Sequence, residues 1–216
     1  MDTDKLDAQA RNDVRDLRER ILTADPATLD LLLRDGRTHY GFQDRDVSDD
    51  TLKELYDLAK WGPTSMNQQP GRFVFVRSAD AKEKLRPALM EPNQAKMMSA
   101  PVTAIIAFDT EFYEQLPAVF PPNPNARDMF AGNPEMAAGN AFRNGSMQGA
   151  YFLIAARALG LDTGPMSGFN PAAVDEAFLS GTTWKTNFLC NLGYGDEEKL
   201  FRRLPRLPFD DVAKII

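Results

Sequence analysis

The sequence predicts an α+β fold in which helices dominate. Several segments place apolar residues on one side of a helix, which is the spacing i, i+3, i+4, i+7. Three short apolar runs between these segments are typical of strands, and the order of helices and strands along the chain favours α+β over a repeating βα pattern. With 216 residues, the chain has the expected size of one domain with a substantial core.

The first segment, residues 1–24, is polar and predicts either a solvent-exposed helix or a loose extension of the domain that follows, residues 25–216. A helix is predicted from Pro26 to Leu33, because Asp25 is a suitable N-cap and proline is favoured at the first helical position. Residues 34–44 contain turn residues and no apolar period, which indicates a loop.

The next helix begins after Ser48, a favoured N-cap, and ends at Gly62. Its apolar residues are one-sided: Leu52, Leu55, Tyr56 and Ala59. The run RFVFVR (72–77) predicts the first strand, and residues 79–90 predict a helix. The continuous apolar run PVTAIIAF (101–108) is typical of a buried strand.

Residues 109–134 are rich in proline and asparagine, and we expect a long irregular excursion of the functional or mobile kind. A long helix is predicted over 135–160. One of its faces is rich in small residues: Ala138, Phe142, Gly145, Gly149, Phe152 and Ala156. Glycine inside a helix costs about 0.5–1 kcal/mol relative to alanine, so we expect the close approach of another helix, such as one from a second subunit, to compensate.

The remaining segments are a polar loop over 161–171, a short helix over 171–179 and a third strand over 184–195. The C-terminal tail carries a basic cluster of Lys199, Arg202, Arg203 and Arg206. No internal repeat is present.

Composition excludes several classes of function. A net charge of −6 and a pI of about 4.9 argue against non-specific nucleic-acid binding, which needs a basic surface. A single cysteine, Cys190, rules out an intramolecular disulfide, and with only one histidine, His39, a Cys/His zinc site within one chain is excluded. No apolar run is long enough to cross a bilayer and the charged N-terminus is unlike a signal peptide, so we expect a cytoplasmic protein with no membrane partner and no bound metal. Cys190 lies in an apolar run and is expected in the core.

Conventional catalytic motifs are absent from the sequence. No G-x-S-x-G and no P-loop is present, and GYGDEE (193–198) lacks the third glycine of a dinucleotide fingerprint. Polar loops and isolated basic residues remain, a pattern expected where a bound cofactor performs the chemistry. The loop within GPTSMNQQPGRFVFV (62–76) is therefore either an ordinary helix-to-strand connection or the wall of a site for a planar polar ligand.

Five segments in order resemble the FMN-dependent nitroreductase-like family. RTHYGF (37–42) is similar to its phosphate-binding Arg-Ser segment, and the loop in 62–76 is similar to P-S-x-x-N-x-Q-P-W-x-F-x-V. NQAKMMSAP (93–101) is similar to an N-x-x-K segment at the flavin pyrimidine. GLDTGPMSGFNP (160–171) is similar to a loop over the isoalloxazine ring, and RRLPRLPFDDVA (202–213) is similar to a tail that returns to the phosphate.

This resemblance implies a nitroreductase-like fold: a central, mostly antiparallel sheet flanked by helices, in an intertwined homodimer with two FMN sites at the subunit interface. It also implies NADH or NADPH as hydride donor and a small-molecule substrate. The implied cofactor-binding residues are Arg37, Thr38, His39, Thr64, Ser65, Asn67, Gln69, Asn93, Lys96, Pro165, Met166, Ser167, Gly168, Arg203 and Arg206.

Within that set, Arg37 and Arg206, with Arg203, suit the phosphate because arginine pairs with it bidentately. Asn67 or Asn93 suits the pyrimidine edge, and Lys96 would stabilise negative charge that develops there. Tyr40 departs from the family, where a second basic residue is common. The proton donor to substrate is His39, a bound water or a backbone N–H; the sequence does not choose among them.

Within the family, the segments around 37–52, 56–65 and 69–78 most resemble the malonic semialdehyde reductases of pyrimidine catabolism. This implies reduction of malonic semialdehyde to 3-hydroxypropanoate. Alternatives are a generalist nitroaromatic or quinone reductase, a flavin-binding carrier or sensor without turnover, and a helical interaction module without flavin. Five residues of the 109–134 excursion are predicted to shape the substrate pocket: Phe112, Tyr113, Phe120, Met129 and Phe130.

Overall fold

A computed structural model describes residues 3–216, which form two compact units, one ending at Gly36 and the other beginning at Arg37. The first unit contains α1 (Thr3–Leu22) and α2 (Pro26–Leu29), and α2 continues as a π-helical turn (Asp30–Arg34). The Asp25 carboxylate accepts the Ala27 N–H at 3.0 Å, so the predicted cap is confirmed. Residues 3–22 of the predicted polar extension are a helix; Met1 and Asp2 lie outside the described residues. The domain boundary after residue 24 stays a prediction.

The second unit is built on a four-stranded sheet. Its strands are β1 (Gly71–Val76), β2 (Val102–Asp109), β3 (Asp162–Met166) and β4 (Trp184–Gly193), in the order β1-β2-β4-β3. Every neighbouring pair is antiparallel. The α+β class and the antiparallel sheet predicted from the sequence are therefore confirmed.

The prediction of a loop over residues 161–171 is wrong for its first half. Residues 162–166 form β3, which pairs with β4 from Asp162 opposite Gly193 to Met166 opposite Leu189. The sequence predicts a loop here because the segment contains Gly164 and Pro165. Proline is tolerated here because β3 is an edge strand, where one side of the backbone needs no ladder partner.

Helices cover both faces of the sheet. Of the helices α3 (Asp49–Ala59), α4 (Ala79–Leu85), α5 (Glu91–Ser99), α6 (Leu116–Val119), α7 (Ala126–Ala131), α8 (Pro134–Ala158), α9 (Pro171–Val174) and α10 (Phe209–Val212), α3 and α8 pack on one face and α4, α5 and α9 on the other. The α3 cap is as predicted, since Ser48 Oγ accepts the Thr51 N–H at 3.1 Å. No helix between residues 3 and 216 combines the length and apolarity that crossing a bilayer requires.

Two apolar cores lie on the two sides of the sheet. One joins α3 and α8 to the sheet through residues such as Leu55, Phe152 and Cys190. The other lies beneath α4, α5 and α9 and includes Met97 and Leu189. Cys190 is fully buried, which confirms its predicted place in the core, and burial raises the pKa of its thiol to about 12.

The excursion over 109–134 is ordered rather than irregular. It contains α6 and α7, and it has a small core of its own against the start of α8. Phe112 and Phe130 are buried in that core. These two rings are therefore interior packing residues and not exposed walls of a substrate pocket, whereas Met129 is exposed.

The small-residue face of α8 packs on the sheet of its own chain. A Cβ added at Gly145 would lie 2.8 Å from Phe108 Cβ, and one at Gly149 would lie 2.7 Å from the Phe188 ring. The expected helix from a second subunit is thus not what these glycines accommodate. Strands β2 and β4 make the close approach, so the glycines carry no argument for a dimer.

We expect Gly145→Ala to destabilise the fold by about 1–3 kcal/mol, the usual cost of overpacking. The new methyl group would meet Phe108 at its Cβ, which moves only with the backbone of β2. Urea unfolding measures this. Gly139→Ala is the matched control on the same helix, because nothing lies within 4 Å of its added Cβ. That variant should gain stability, and an equal gain for Gly145→Ala would contradict the packing argument.

Candidate functional site

A cavity of about 280 Å³ opens among the segment 38–40, helix α5 and the end of β3. Many of the residues predicted to bind a cofactor line it: Thr38, His39, Asn93, Lys96, Pro165, Met166, Ser167 and Gly168. These residues come from three sequence segments that are far apart along the chain. Three of the five predicted motifs therefore meet at one place.

A chain of hydrogen bonds orients the polar side of the cavity. Lys96 Nζ donates to Asn93 Oδ1 at 3.1 Å, and Asn93 Nδ2 donates to the Gly168 carbonyl at 3.0 Å. The Lys96 ammonium also lies 4.8 Å from the centre of the Tyr40 ring. No carboxylate within the described part of the chain forms an ion pair with Lys96, so its charge is available to an electron-rich group of a ligand.

The structure adds three residues that sequence reasoning missed: Tyr40, Gly164 and Asn191. Asn191 is only 1% exposed on the central strand β4, where it accepts a hydrogen bond from Thr103 Oγ1 at 2.7 Å. Its amide nitrogen has a thioether as acceptor, Met166 Sδ at 3.7 Å. The sequence signal that could have identified Asn191 is a polar residue inside the apolar run of β4. A buried amide normally has a stronger hydrogen-bond partner than a thioether, so its position at the cavity suggests a ligand contact.

His39 anchors the segment 37–43 to the sheet. Its imidazole is buried, with Nε2 3.1 Å from an Asp162 carboxylate oxygen, and its backbone N–H donates to Thr163 at 2.9 Å. Nδ1 is buried against Gly195, whose added Cβ would collide with the ring, and it has no hydrogen-bond partner among the described residues. Both nitrogens thus face neighbouring protein groups. This geometry favours an anchoring role, and the role of His39 as proton donor stays a prediction.

A second group of predicted residues lies in the loop between α3 and β1. Thr64 Oγ1 accepts the Gln69 N–H at 3.2 Å, and Asn67 Nδ2 donates to the Val119 carbonyl of α6 at 2.7 Å. The Ser65 N–H donates to Asn144 Oδ1 at 2.8 Å. These contacts hold the loop against α6 and α8.

The structure does not bring this loop to the cavity. The loop leads into β1, one edge of the sheet, while the cavity lies beside β3, the other edge. Neighbouring strands are about 4.8 Å apart, so the two edge strands are separated by roughly 14 Å. Within one chain the loop residues and the cavity residues are therefore separate groups.

The predicted phosphate-binding arginines lie outside the cavity. Arg37 donates through Nη2 to the Phe201 carbonyl, and the Phe201 ring packs edge-on against Tyr40 with centroids 5.0 Å apart. The start of the tail thus returns to the segment 37–40. Arg203 and Arg206 lie further along the exposed tail, and Arg206 donates to backbone carbonyls of the tail itself.

The model of the Nitroreductase family matches residues 33–194, about three-quarters of the chain. The chain belongs to the nitroreductase family. The match includes the cavity, the loop before β1 and the whole sheet. It ends before the basic tail.

Solved structures agree with this assignment. A protein from Bacillus subtilis assigned as a nitroreductase has a TM-score of 0.78 at 22% identity, and the match covers 89% of this chain and 100% of that one. A protein from Exiguobacterium sibiricum assigned as a nitroreductase was solved in complex with FMN; its TM-score is 0.76 at 20% identity, over 86% of this chain and 95% of that one.

A third match is a protein from Staphylococcus epidermidis assigned as an NAD(P)H:FMN oxidoreductase. Its TM-score is 0.74 at 19% identity, with 86% of this chain and 94% of that one covered. At these identities the matches show the fold alone. The nitroreductase-like fold predicted from the sequence is confirmed, and the intertwined homodimer stays a prediction.

We expect Gly195→Ala to loosen the anchored segment of this nitroreductase-family chain, because the added methyl group displaces the His39 ring. The loss should be about 1–3 kcal/mol, with faster amide hydrogen exchange at residues 38–43. In a His39→Ala background the same change should cost much less, since the collision is gone. Additive losses in the double variant would contradict the contact as the cause.

Proposed function

We propose that this protein is an FMN-dependent oxidoreductase that takes electrons from NADH or NADPH. The observation that carries the proposal is the cavity, where three family motifs place Lys96, Asn93 and the 165–168 loop together. Family membership and the FMN complex of the related structure support the same assignment.

The residues of the cavity fit an FMN ring system. Its pyrimidine edge has donors and acceptors, which the Asn93 amide and the Lys96 ammonium can meet. Asn191 adds a buried amide whose donor now meets only a thioether. The phosphate would lie toward Arg37 and the basic tail, where guanidinium groups supply the charge that a dianion needs.

Bound FMN would supply ping-pong hydride chemistry through N5, with the nicotinamide and the second substrate using the same place in turn. The protein contributes charge and orientation. Lys96 places a positive charge where negative charge develops, which lowers the energy of the reduced state and of the transition state leading to it.

A second copy of the chain would complete the site. The loop residues Thr64, Ser65, Asn67 and Gln69 carry the family motif for flavin contact, yet they lie at the opposite edge of the sheet from the cavity. If both groups serve one flavin, the loop must come from a partner subunit. This arrangement supports the homodimer, with two sites that each draw on both chains.

For the substrate we propose malonic semialdehyde, on the resemblance of three segments between residues 37 and 78 to that subgroup. Hydride addition at the aldehyde carbon and protonation at its oxygen give 3-hydroxypropanoate. Because both His39 nitrogens face Asp162 and Gly195, a bound water or a backbone N–H is the better-placed source of the proton. A cytoplasmic location fits the single reduced cysteine and also belongs to this proposal.

The first test is the visible absorption spectrum of the purified protein, followed by identification of the released chromophore. We expect a yellow protein that releases FMN and oxidises NADH or NADPH with malonic semialdehyde as acceptor. Faster turnover with a nitroaromatic or quinone would indicate a generalist reductase. Bound FMN without turnover on any acceptor would indicate a carrier, and a protein that binds no added FMN would overturn the proposal.

We expect Lys96→Ala to lower the flavin midpoint potential and to slow flavin reduction about tenfold, equivalent to about 1.4 kcal/mol on the barrier. Stopped-flow reduction and a redox titration measure the two effects. Lys185→Ala is the control, because this exposed lysine is paired with Asp175 away from the cavity. If Lys96→Ala kept the wild-type flavin midpoint potential and the wild-type rate of flavin reduction, the proposed electrostatic role of Lys96 would be wrong.

A further inference from the structure

The loop before β1 has an unusual backbone. Met66, Asn67 and Gln69 have φ angles of 51°, 51° and 44°, and no other non-glycine residue between 3 and 216 has a positive φ. Side chains disfavour this left-handed region, asparagine least and residues such as Met66 and Gln69 more. Such strain persists only where surrounding structure imposes it, and it concentrates at functional sites.

Amides on one face of α8 contact the loop on both sides of these residues. Asn140, Asn144 and Gln148 follow one another at four-residue spacing, which places them in a row facing the loop. Asn144 Oδ1 accepts the Ser65 N–H at 2.8 Å, and Gln148 Oε1 accepts the Gly71 N–H at 2.7 Å. Asn144 and Gln148 thus bind the loop at its two ends, and they are 2% and 5% exposed.

Asn144 also draws the middle of the loop inward. Its Nδ2 donates to Gln68 Oε1 at 3.0 Å, and Gln68 is 1% exposed although glutamine is usually a surface residue. The neighbours of Gln68 on either side are less buried: Asn67 is exposed, with its amide nitrogen on the Val119 carbonyl, and Gln69 is partly exposed. Gln68 is thus drawn inward while Asn67 and Gln69 stay nearer the surface of the loop.

A second contact holds the end of the loop. Arg72 donates through Nη1 to the Gln69 carbonyl at 2.9 Å and through Nη2 to Asp109 Oδ2 at 2.8 Å. Arg72, on the sheet, thus holds the carbonyl of Gln69, one of the residues with a positive φ. Helix α8 holds the N–H groups of Ser65 and Gly71. The loop is thus constrained from two directions.

We propose that Asn144 and Gln148 are positioning residues, which hold the 64–70 loop in a strained form so that Asn67 and Gln69 are presented to a flavin. The ligand in this inference, a flavin, comes from the proposed function. The loop geometry is independent of the proposed function, because it can be measured in the protein without flavin. Neither amide belongs to the predicted set of cofactor-binding residues.

The test compares two pairs of variants. Gln148→Met keeps the length of the side chain and removes the acceptor for the Gly71 N–H, whereas Gln148→Glu keeps that acceptor. Asn144→Ala removes both functions of the amide, whereas Asn144→Asp keeps the acceptor for Ser65 and loses the donor to Gln68. Ser78→Ala is the control for general destabilisation, because Ser78 caps α4 away from the loop.

Two measurements are made on each variant. Hydrogen exchange of residues 64–71 in the flavin-free protein should accelerate about tenfold or more in Gln148→Met and Asn144→Ala, since the backbone N–H groups of Gly71 and Ser65 lose their acceptors. The Kd for FMN should rise about tenfold in the same two variants. Gln148→Glu should restore both values, and Ser78→Ala should change neither even if it lowers the melting temperature.

The outcomes separate this inference from the proposed function. A wild-type protein that binds no FMN overturns the proposed function and, with it, the ligand named here. Unchanged exchange in Gln148→Met and Asn144→Ala overturns the positioning role whatever the protein binds. Faster exchange with an unchanged Kd for FMN shows that the amides brace the loop without serving the flavin, and this also overturns the inference.

Discussion

The flat packing of α8 on the sheet is the constraint on which the rest of the second unit depends. Gly145 and Gly149 add no side chain of their own where α8 meets Phe108 of β2 and Phe188 of β4, so the helix backbone lies close to these two side chains. That position brings a neighbouring face of α8, with its row of amides, within hydrogen-bonding distance of the loop before β1. A helix held further out by larger side chains would leave the Ser65 and Gly71 N–H groups unpaired.

On the other side of the sheet, the cavity depends on buried polar side chains rather than on the close approach of two backbones. Thr103 and Asn191 place a polar pair within the central strands, where unpaired amides are costly. Lys96 and Asn93 on α5 complete a polar surface around it. The two faces of one sheet therefore have different tasks: one carries and braces a loop, and the other encloses a cavity.

The sequence was informative where chemistry and local structure coincide. Asn93 and Lys96 come from one short motif of the family resemblance and the 165–168 loop from another, and the structure brings them to one cavity. The sequence was less informative where tertiary contacts decide the structure. The sequence predicts a loop at β3 because glycine and proline are poor strand formers, and only its pairing with β4 makes it a strand.

The amides of α8 were missed for a related reason. On a helix whose neighbours are unknown, Asn144 and Gln148 look like ordinary polar surface residues. The glycines of α8 predict a close neighbour, but nothing along the chain distinguishes a sheet from a partner helix as the surface that they meet. Both failures concern what lies opposite a residue, which is information that no single segment contains.

The separation of the two predicted residue groups to opposite edges of the sheet has a consequence for genetics. If each flavin site takes its loop from one chain and its cavity from the other, defects in the two regions belong to different complementation groups. A mixed dimer of one chain with a damaged loop and one with a damaged cavity would assemble one site from two intact halves and the other from two damaged halves. Two inactive alleles expressed in one cell would then recover part of the activity that neither has alone.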